Sequence, residues 1–207
     1  MEGKTLSCPS CAGPLTIESR FTSLVVCQFC GQTSVVRDTG LDPTGKTAKL
    51  TDYASRLRVG GSGTLSGRSF SVLGRVRYRY EDGVWDEWFL RFDDGQPAWL
   101  SEDEGEYVLT SKRRLTVPVP PWEQIRVGGT VEVPPQRMFV TEKGAGGIVG
   151  AEGELSMTAA PGASLRYVDG NAGGQIVTLT YTDNGITLTV GEPYDFHDIV
   201  VTDPNGS

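Results

Sequence analysis

The sequence is poor in histidine, in long apolar runs and in cysteines beyond its first 30 residues. It contains one histidine, and all four cysteines lie within residues 8–30 of the 207. A secreted disulfide framework would spread its cysteines along the chain, so we do not expect one. No run approaches the about 18 apolar residues of a membrane span, and the first residues carry no signal-peptide pattern. We therefore expect a cytoplasmic protein without a transmembrane segment.

Positive charge is also scarce. Nineteen Lys and Arg stand against 26 Asp and Glu, which gives a net charge of -7. Seven basic and five acidic residues leave +2 on residues 1–60, and the remaining 12 basic and 21 acidic residues leave -9 on residues 61–207. A protein of this charge is poorly suited to coating phosphate backbones. The 27 glycines and 12 prolines instead predict short strands and turns, in an all-β fold with few helices.

The cysteines form two C-x2-C pairs separated by 15 residues: Cys8, Cys11, Cys27 and Cys30. Two-residue spacers make tight turns, called knuckles, that aim both sulfurs of a pair at one point, and the distance between the pairs is typical of zinc sites. Gly31 follows the last cysteine and supplies the backbone freedom that such a turn often needs. We predict one Zn2+ held by four thiolates. Four sulfur ligands leave no open coordination position, so the metal should be structural.

The segment between the pairs predicts a zinc ribbon, in which two strands of a hairpin cover the metal. The apolar residues placed to do so are Leu15, Ile17, Leu24 and Val26. The alternative is a pair of redox dithiols, because the Cys8–Cys11 segment alone resembles a thioredoxin-type motif. That motif requires a strand-to-helix context, which the flanking residues lack.

Composition divides the chain into three parts. Residues 1–38 form the predicted zinc ribbon, and residues 39–56 are rich in turn formers and predict a linker, in which residues 49–57 could form a short helix. Residues 57–203 predict an antiparallel β-barrel or meander. Three prolines within residues 118–121 exclude a central strand there. They separate two small β subdomains, 57–117 and 122–203, or mark a crossover within one.

Two hairpins allow the register to be predicted. At residues 81–83 a three-residue loop sorts the side chains best, with Tyr78 and Val76 on a largely apolar face. The pairs predicted on the opposite face are Arg79 with Trp85, Arg77 with Glu87, and Arg75 with Phe89. The second hairpin spans residues 177–190, with Asn184-Gly185 at its predicted tip. Its two-residue loop separates an apolar face from a face of threonines. The remaining strands are predicted at residues 128–141 and 148–157.

The outer face of the first hairpin carries the predicted partner surface. Aromatic and arginine side chains often anchor protein interfaces, and we assign this role to Arg79, Trp85 and Phe89. The same side chains could equally lie in a second core layer. The leading hypothesis is a non-enzymatic cytosolic adaptor, in which a zinc ribbon and an acidic β domain each present a surface to a protein partner.

Two other functions stay open. An enzyme would use carboxylates in a cleft between the β subdomains, either Glu87 or the pair Glu152 and Glu154. Flanking aromatic residues would raise the pKa of Glu87, but in the predicted register Arg77 faces it and keeps it ionised. His197 has aspartates beside it but no identifiable nucleophile, so we expect it to be structural.

The third hypothesis is a nucleic-acid-binding ribbon, and the small positive charge of the segment makes it less favoured. Its basic residues are Arg20, Arg37, Lys46, Lys49, Arg56 and Arg58. The acidic run at residues 101–106 lacks the ligand spacing of a calcium loop, and we expect it to be a solvated loop.

A set of motifs between residues 55 and 201 resembles the bacterial domain of unknown function 4178, which is often preceded by a zinc ribbon. The residues that carry the resemblance are Leu57, Gly60, Gly63, Gly67, Phe70, Gly74-Arg75-Val76, Trp85-Asp86-Glu87-Trp88-Phe89-Leu90, Gly95, Trp99-Leu100 and Ala151-Glu152-Gly153-Glu154-Leu155. The resemblance implies a cytosolic accessory protein without an established activity. It also implies partners from membrane-stress systems or linked to aminopropyltransferase-like, polyamine-producing enzymes.

Overall fold

The fold of the chain was obtained as a computed structural model, which describes residues 3–48, 50, 55–157 and 161–202. Strands account for 62% and helices for 3% of the chain, which confirms the all-β prediction. Within the described ranges the helices are two three-residue 3-10 turns, Trp122–Gln124 and Phe196–Asp198. Neither is long or apolar enough to cross a membrane.

The strands of the described residues are, in chain order, β1 (Lys4–Ser7), β2 (Pro14–Ile17), β3 (Leu24–Val26), β4 (Gln32–Arg37), β5 (Gly40–Thr47), β6 (Ser62–Leu65), β7 (Arg68–Arg79), β8 (Val84–Phe92), β9 (Pro97–Asp103), β10 (Glu106–Arg113), β11 (Thr130–Val133), β12 (Gln136–Leu155), β13 (Ser164–Ala172), β14 (Gln175–Thr182), β15 (Gly185–Tyr194) and β16 (Ile199–Thr202). β1 and β2 form a two-stranded sheet, and the other strands belong to one 14-stranded sheet.

Eight antiparallel strands of the large sheet close on themselves. They pair in the order β7-β8-β9-β10-β15-β14-β13-β12, and β12 returns to pair with β7. The barrel or meander expected for residues 57–203 is therefore a closed circuit. β6 and β16 extend it beyond β7, and β3, β4 and β5 extend it beyond β12. Closure satisfies the backbone hydrogen-bonding groups that open sheet edges would expose.

Two apolar cores lie along the circuit, and we call the part of the circuit around each core a lobe. The first core packs side chains from residues 57–107 together with Ile199, and the second packs side chains from residues 125–188. The proline-rich stretch lies between these two ranges, where the subdomain boundary is predicted. One sheet nevertheless runs through both lobes, since they are joined by the β10–β15 pair and by the β7–β12 pair.

Residues 40–47, predicted to lie in a linker, form β5 instead. β5 pairs with β4, with Ser34 opposite Pro43 and Val36 opposite Leu41. A strand at the end of a sheet can contain proline and polar residues, because one of its sides makes no ladder bonds. The predicted helix at 49–57 lies mostly outside the described residues, and residues 55–57 are not helical.

The first hairpin has a different register from the predicted one. Arg79 pairs with Val84, so the connection is a four-residue loop at 80–83. Shifting the pairing by one residue brings different side chains together: Arg77 lies opposite Asp86, Tyr78 opposite Trp85 and Val76 opposite Glu87. The prediction failed because it assumed that arginines face solvent, whereas Arg75 and Arg77 are buried.

The second hairpin has the predicted faces. Val177 pairs with Val190 and Leu179 with Leu188, and the threonines pair with each other on the other face. The loop lies one residue earlier than expected, because Thr182 pairs with Gly185. That shift lengthens β15 at its start but leaves the apolar and threonine faces as predicted.

Candidate metal centre

The two cysteine pairs lie in matching turns, one between β1 and β2 and the other between β3 and β4. In each turn the residue after the second cysteine donates its N–H to the carbonyl oxygen of the first cysteine, Ala12 to Cys8 at 2.9 Å and Gly31 to Cys27 at 2.8 Å. Both donors have positive φ, 60° at Ala12 and 74° at Gly31. The role predicted for Gly31 is confirmed, and Ala12 adopts the same conformation at a cost of about 1–2 kcal/mol.

The four sulfur atoms converge on one point between these turns. All four Sγ atoms lie within 4.8 Å of one another. Cys8 Sγ is 3.8 Å from Cys30 Sγ, and Cys11 Sγ is 3.7 Å from Cys27 Sγ. A tetrahedral zinc site with Zn–S bonds of about 2.3 Å has S–S edges of about 3.8 Å, whereas a disulfide bond is about 2.05 Å long. The arrangement fits four thiolates around one metal ion, as the spacing predicted.

One of the four thiols is set up to ionise readily. Burial opposes ionisation of Cys8, but backbone N–H groups of Cys11 and Ser10 and the neighbouring thiols hydrogen bond to its sulfur, and together they lower its pKa to about 7. Thiolates are the form that binds metal. Although the backbone hydrogen bond of Cys11 with Gly13 opposes the shift, the same hydrogen bonds among the thiols raise the pKa of Cys11 to about 12, so Cys8 gives up its proton first.

The apolar cover of the site differs in part from the prediction. Leu15 and Ile17 pack beside Cys8 and Cys27, as expected. Val25 is the β3 residue that joins them, while Leu24 and Val26 pack in a third core. Successive side chains of a strand point to opposite faces, and β3 uses one face for the metal site and the other for the β domain.

β3 connects the ribbon to the rest of the protein. Leu24 pairs with Leu155 and Val25 with Glu154, both at the end of β12. The third core packs Leu24, Val26 and Ala48 against Tyr78 and other side chains of β7 and β12. The ribbon is therefore packed against the β domain and is continuous with its sheet.

A family model described as a domain of unknown function, DUF4178, matches residues 58–196, about two thirds of the chain. The chain belongs to the DUF4178 family. Comparisons with curated proteins and with solved structures gave no match. The cysteines precede the matched range, so the ribbon lies outside the DUF4178 domain.

Asp86, within the segment Trp85-Asp86-Glu87-Trp88, is the centre of a buried polar network. Asp86 accepts bidentate hydrogen bonds from both Arg75 and Arg77, at 2.8–3.0 Å. All three side chains are at least nine-tenths buried. Burial raises the pKa of Asp86, and the charge and hydrogen bonds of Arg77 oppose that shift. Removing one partner from such a network would leave a buried charge unpaired.

Glu102 was missed because it lies in the acidic run that we expected to be a solvated loop. It is in β9 and only 8% exposed. Its carboxylate accepts hydrogen bonds from Trp88 Nε1 at 2.8 Å, Tyr107 hydroxyl at 2.9 Å and Ser55 hydroxyl at 2.7 Å. The alternation of β9, which places Leu100 and Glu102 on one face, is the sequence signal that could have found it.

The predicted partner surface does not exist as one face. Phe89 is fully buried, with its ring 5.1 Å from that of Trp99. Trp85 is half-buried and stacks on Tyr78 at 4.7 Å. Arg79 alone is exposed, and it lies opposite Val84. The alternative of a second core layer describes Trp85 and Phe89 correctly.

Glu87 lies where the two lobes meet. Its neighbour Trp85 contacts Tyr167 of β13 with ring centroids 5.9 Å apart. Burial raises the pKa of Glu87 to about 7, and the nearby carboxylate of Asp169 adds to the shift. Burial likewise raises the pKa of Asp169 to about 6. Arg77 does not face Glu87, so the ion pair that we expected to keep it ionised does not form.

The other candidate catalytic residues have structural surroundings. Glu154 is buried and hydrogen bonds to the ribbon, while Glu152 is partly exposed and 3.8 Å from Arg75. His197 is exposed in the second 3-10 turn. The aspartates beside it cap that turn through their own backbone and side chains, and do not orient the histidine.

Three of the basic residues proposed for nucleic acid contact other parts of the protein. Arg37 pairs with Asp42 at 3.2 Å, Lys46 donates to Pro161 O at 3.2 Å, and Arg56 lies 4.0 Å over the Phe196 ring. Lys49 lies outside the described residues. Arg37, Lys46 and Arg56 therefore each have a partner within the protein.

Two open surface grooves lie in the DUF4178 domain. One, of about 580 Å³, runs between Trp122, Arg166 and Tyr181, and the other, of about 520 Å³, runs along β6 and β7. Glu87, Glu152 and Glu154 line neither groove. The grooves therefore do not join any predicted carboxylate to a substrate-sized space.

Proposed function

We propose that this protein is a non-enzymatic cytoplasmic adaptor, with a structural zinc ribbon held rigidly on the DUF4178 domain and a protein partner bound at the tip of the ribbon. The observation that carries the proposal is the closed set of four sulfurs beside an exposed aromatic side chain. A four-thiolate zinc ion would fix the fold of the ribbon and offer no open position for catalysis.

The exposed aromatic is Phe29, which lies between the last two cysteines. It is 60% exposed. Its ring lies against the backbone of Gly13 in the opposite knuckle, where a Cβ would come within 2.5 Å of the ring. We call Phe29, Gly13 and the exposed Ala12 the knuckle patch. A phenyl ring that rests against the backbone is suited to fill a partner's pocket, because contact on one side limits its conformational freedom before it binds.

The zinc part of the proposal is tested by metal analysis of the purified full-length chain. We expect about one zinc per chain and four thiols that react with Ellman's reagent only after a chelator is added. A protein that folds with all four thiols reactive and no metal would refute the zinc site.

The partner part is tested by quantitative affinity purification from the native cell. Phe29→Ser should abolish enrichment of the partner, while Phe139→Ser, at another exposed phenylalanine (50% exposed), should not. The partners implied by the family resemblance, from membrane-stress systems or polyamine-linked enzymes, are the first to examine. Equal enrichment with wild type and Phe29→Ser would refute the knuckle patch as the binding surface.

A second candidate function is favoured by the surroundings of Glu87. A carboxyl group whose pKa is raised to about 7 is suited to proton transfer near neutral pH. This function would require a small ligand to reach Glu87 between the lobes. A ligand screen by thermal shift tests it: a compound that stabilises wild type but not Glu87→Gln would support it, and the absence of any such compound would count against it.

A further inference from the structure

One buried carboxylate accepts several of the hydrogen bonds between the ribbon and the DUF4178 domain. Glu154 is 5% exposed and accepts hydrogen bonds from the backbone N–H groups of Glu18, at 2.7 Å, and Ser19, at 3.2 Å. The hydroxyl of Thr22 donates to the same carboxylate. Three donors from one short segment of the ribbon therefore converge on a single side chain of β12.

Further contacts surround this carboxylate. Ser23 N–H donates to Leu155 O at 2.8 Å, and Arg91 Nη1 donates to Glu18 O at 2.6 Å. Burial raises the pKa of Glu154, while its hydrogen bonds with the ribbon oppose the shift. If the ribbon moved away, the Glu154 carboxylate would lose its three hydrogen-bond donors. Leaving a buried charge without hydrogen-bond partners costs free energy.

The three donors lie in the middle of the segment that the metal would close. This segment runs from Cys11 to Cys27, and Glu18, Ser19 and Thr22 are near its centre. Ordering a free segment costs about 1–2 kcal/mol of backbone entropy per residue. Metal ligation at both ends would already have ordered part of the segment, so docking on Glu154 would cost less when the metal is bound.

We propose that metal binding by the four cysteines and docking of the ribbon on Glu154 are one coupled equilibrium, so that Glu154 raises the metal affinity of a site it does not touch. Thermodynamic linkage makes the effect reciprocal: loss of the metal loosens the ribbon from β12. Glu154 is in this sense a positioning residue, and the metal state of the ribbon controls whether the knuckle patch is held in place. The inference rests on the metal site proposed above.

The test measures zinc affinity of the full chain by competition with a chromogenic chelator. We expect Glu154→Ala to bind zinc about 10-fold more weakly than wild type, a typical size for coupling between sites. Glu154→Gln keeps one acceptor oxygen and should fall between the two. The matched control is Glu132→Ala, at an exposed β11 residue whose partner Arg137 is also exposed, and it should bind zinc as wild type does.

The reciprocal measurement uses the wild-type chain and needs no variant. Removing zinc should speed amide hydrogen exchange at residues 18–25 and at residues 152–155 of β12, while exchange in β13 to β15 stays unchanged. Unchanged exchange at β12, or zinc affinities of Glu154→Ala and wild type within twofold, would overturn the coupling. Failure of wild type to bind zinc at all would instead refute the metal site.

Discussion

Replacing Glu87 with glutamine should change how stability depends on pH. Burial raises the pKa of Glu87 from 4.5 to about 7 in the folded protein. The folded state therefore binds this proton more tightly than the unfolded state. The stability associated with the protonated carboxyl is fully present below pH 4.5 and is lost as the pH rises through 7. Glutamine does not titrate, so Glu87→Gln should not lose this stability as the pH rises.

The magnitude follows from the two pKa values. Each unit of difference between folded and unfolded states corresponds to about 1.4 kcal/mol, so the difference of about 2.5 units corresponds to roughly 3 kcal/mol. Most of this, about 2–3 kcal/mol, is lost between pH 5 and pH 8, because at pH 5 the unfolded-state carboxyl is already largely ionised. Glu87→Gln should gain that amount relative to wild type over this range.

The assay is urea unfolding of both proteins at pH 5, 6, 7 and 8, with zinc present. Changes in metal affinity with pH affect both proteins alike, so they cancel in the difference between them. Glu81→Gln, at an exposed residue of the same hairpin, is the matched control and should follow wild type. If the free energies of unfolding of Glu87→Gln and wild type run parallel from pH 5 to pH 8, the argument about Glu87 is refuted.

Two further predictions concern the DUF4178 domain. Asp86→Ala leaves two buried guanidinium groups without their shared carboxylate and should destabilise the fold by about 3–5 kcal/mol, measured by urea unfolding at pH 7. A loss below 1 kcal/mol would show that the network is not stabilised by Asp86. Gly74→Ala places a Cβ 1.8 Å from Glu154 O and should separate β7 from β12. The midpoint of thermal unfolding should fall by several degrees in Gly74→Ala. It should fall less in Gly95→Ala, because that glycine lies at a turn with open space around it. Equal decreases in the two variants would contradict the argument from the close approach of β7 and β12.

The metal site could be predicted from the sequence because its geometry is local. Two tight turns fix the direction of each cysteine pair, and the spacing alone limits how far apart the pairs can be. The β3 residue that covers the metal site, Val25, was harder to predict. All three residues of β3 are buried, on two faces, so alternation gives no signal to distinguish Val25 from Leu24 and Val26.

The register of the first hairpin could not be predicted because the hairpin buries charged side chains that pair with each other. Sorting by polarity assumes one buried and one solvated face. Arg75 and Arg77 violate that assumption, since Asp86 neutralises part of their charge inside the first lobe. The bulge between Val72 and Gly74 shifts the pairing again.

The length of β12 was underestimated for a similar reason. We expected two strands, at 128–141 and 148–157, with the glycines at residues 144, 146 and 147 between them. β12 continues through them. A Cβ would come within 2.5 Å of the Tyr167 hydroxyl oxygen at Gly144 and within 2.8 Å of the Arg79 backbone oxygen at Gly146. These glycines make room for atoms of neighbouring strands, which only the folded protein reveals.

The closed circuit of eight strands has a consequence for any attempt to divide the protein. Cutting the chain between β10 and β11 would separate β7 from β12 and β10 from β15, and would leave each fragment with two long unpaired edges. Such edges recruit strands from other molecules. Fragments corresponding to a single lobe should therefore aggregate on expression, and studies of this protein are best done on the intact chain.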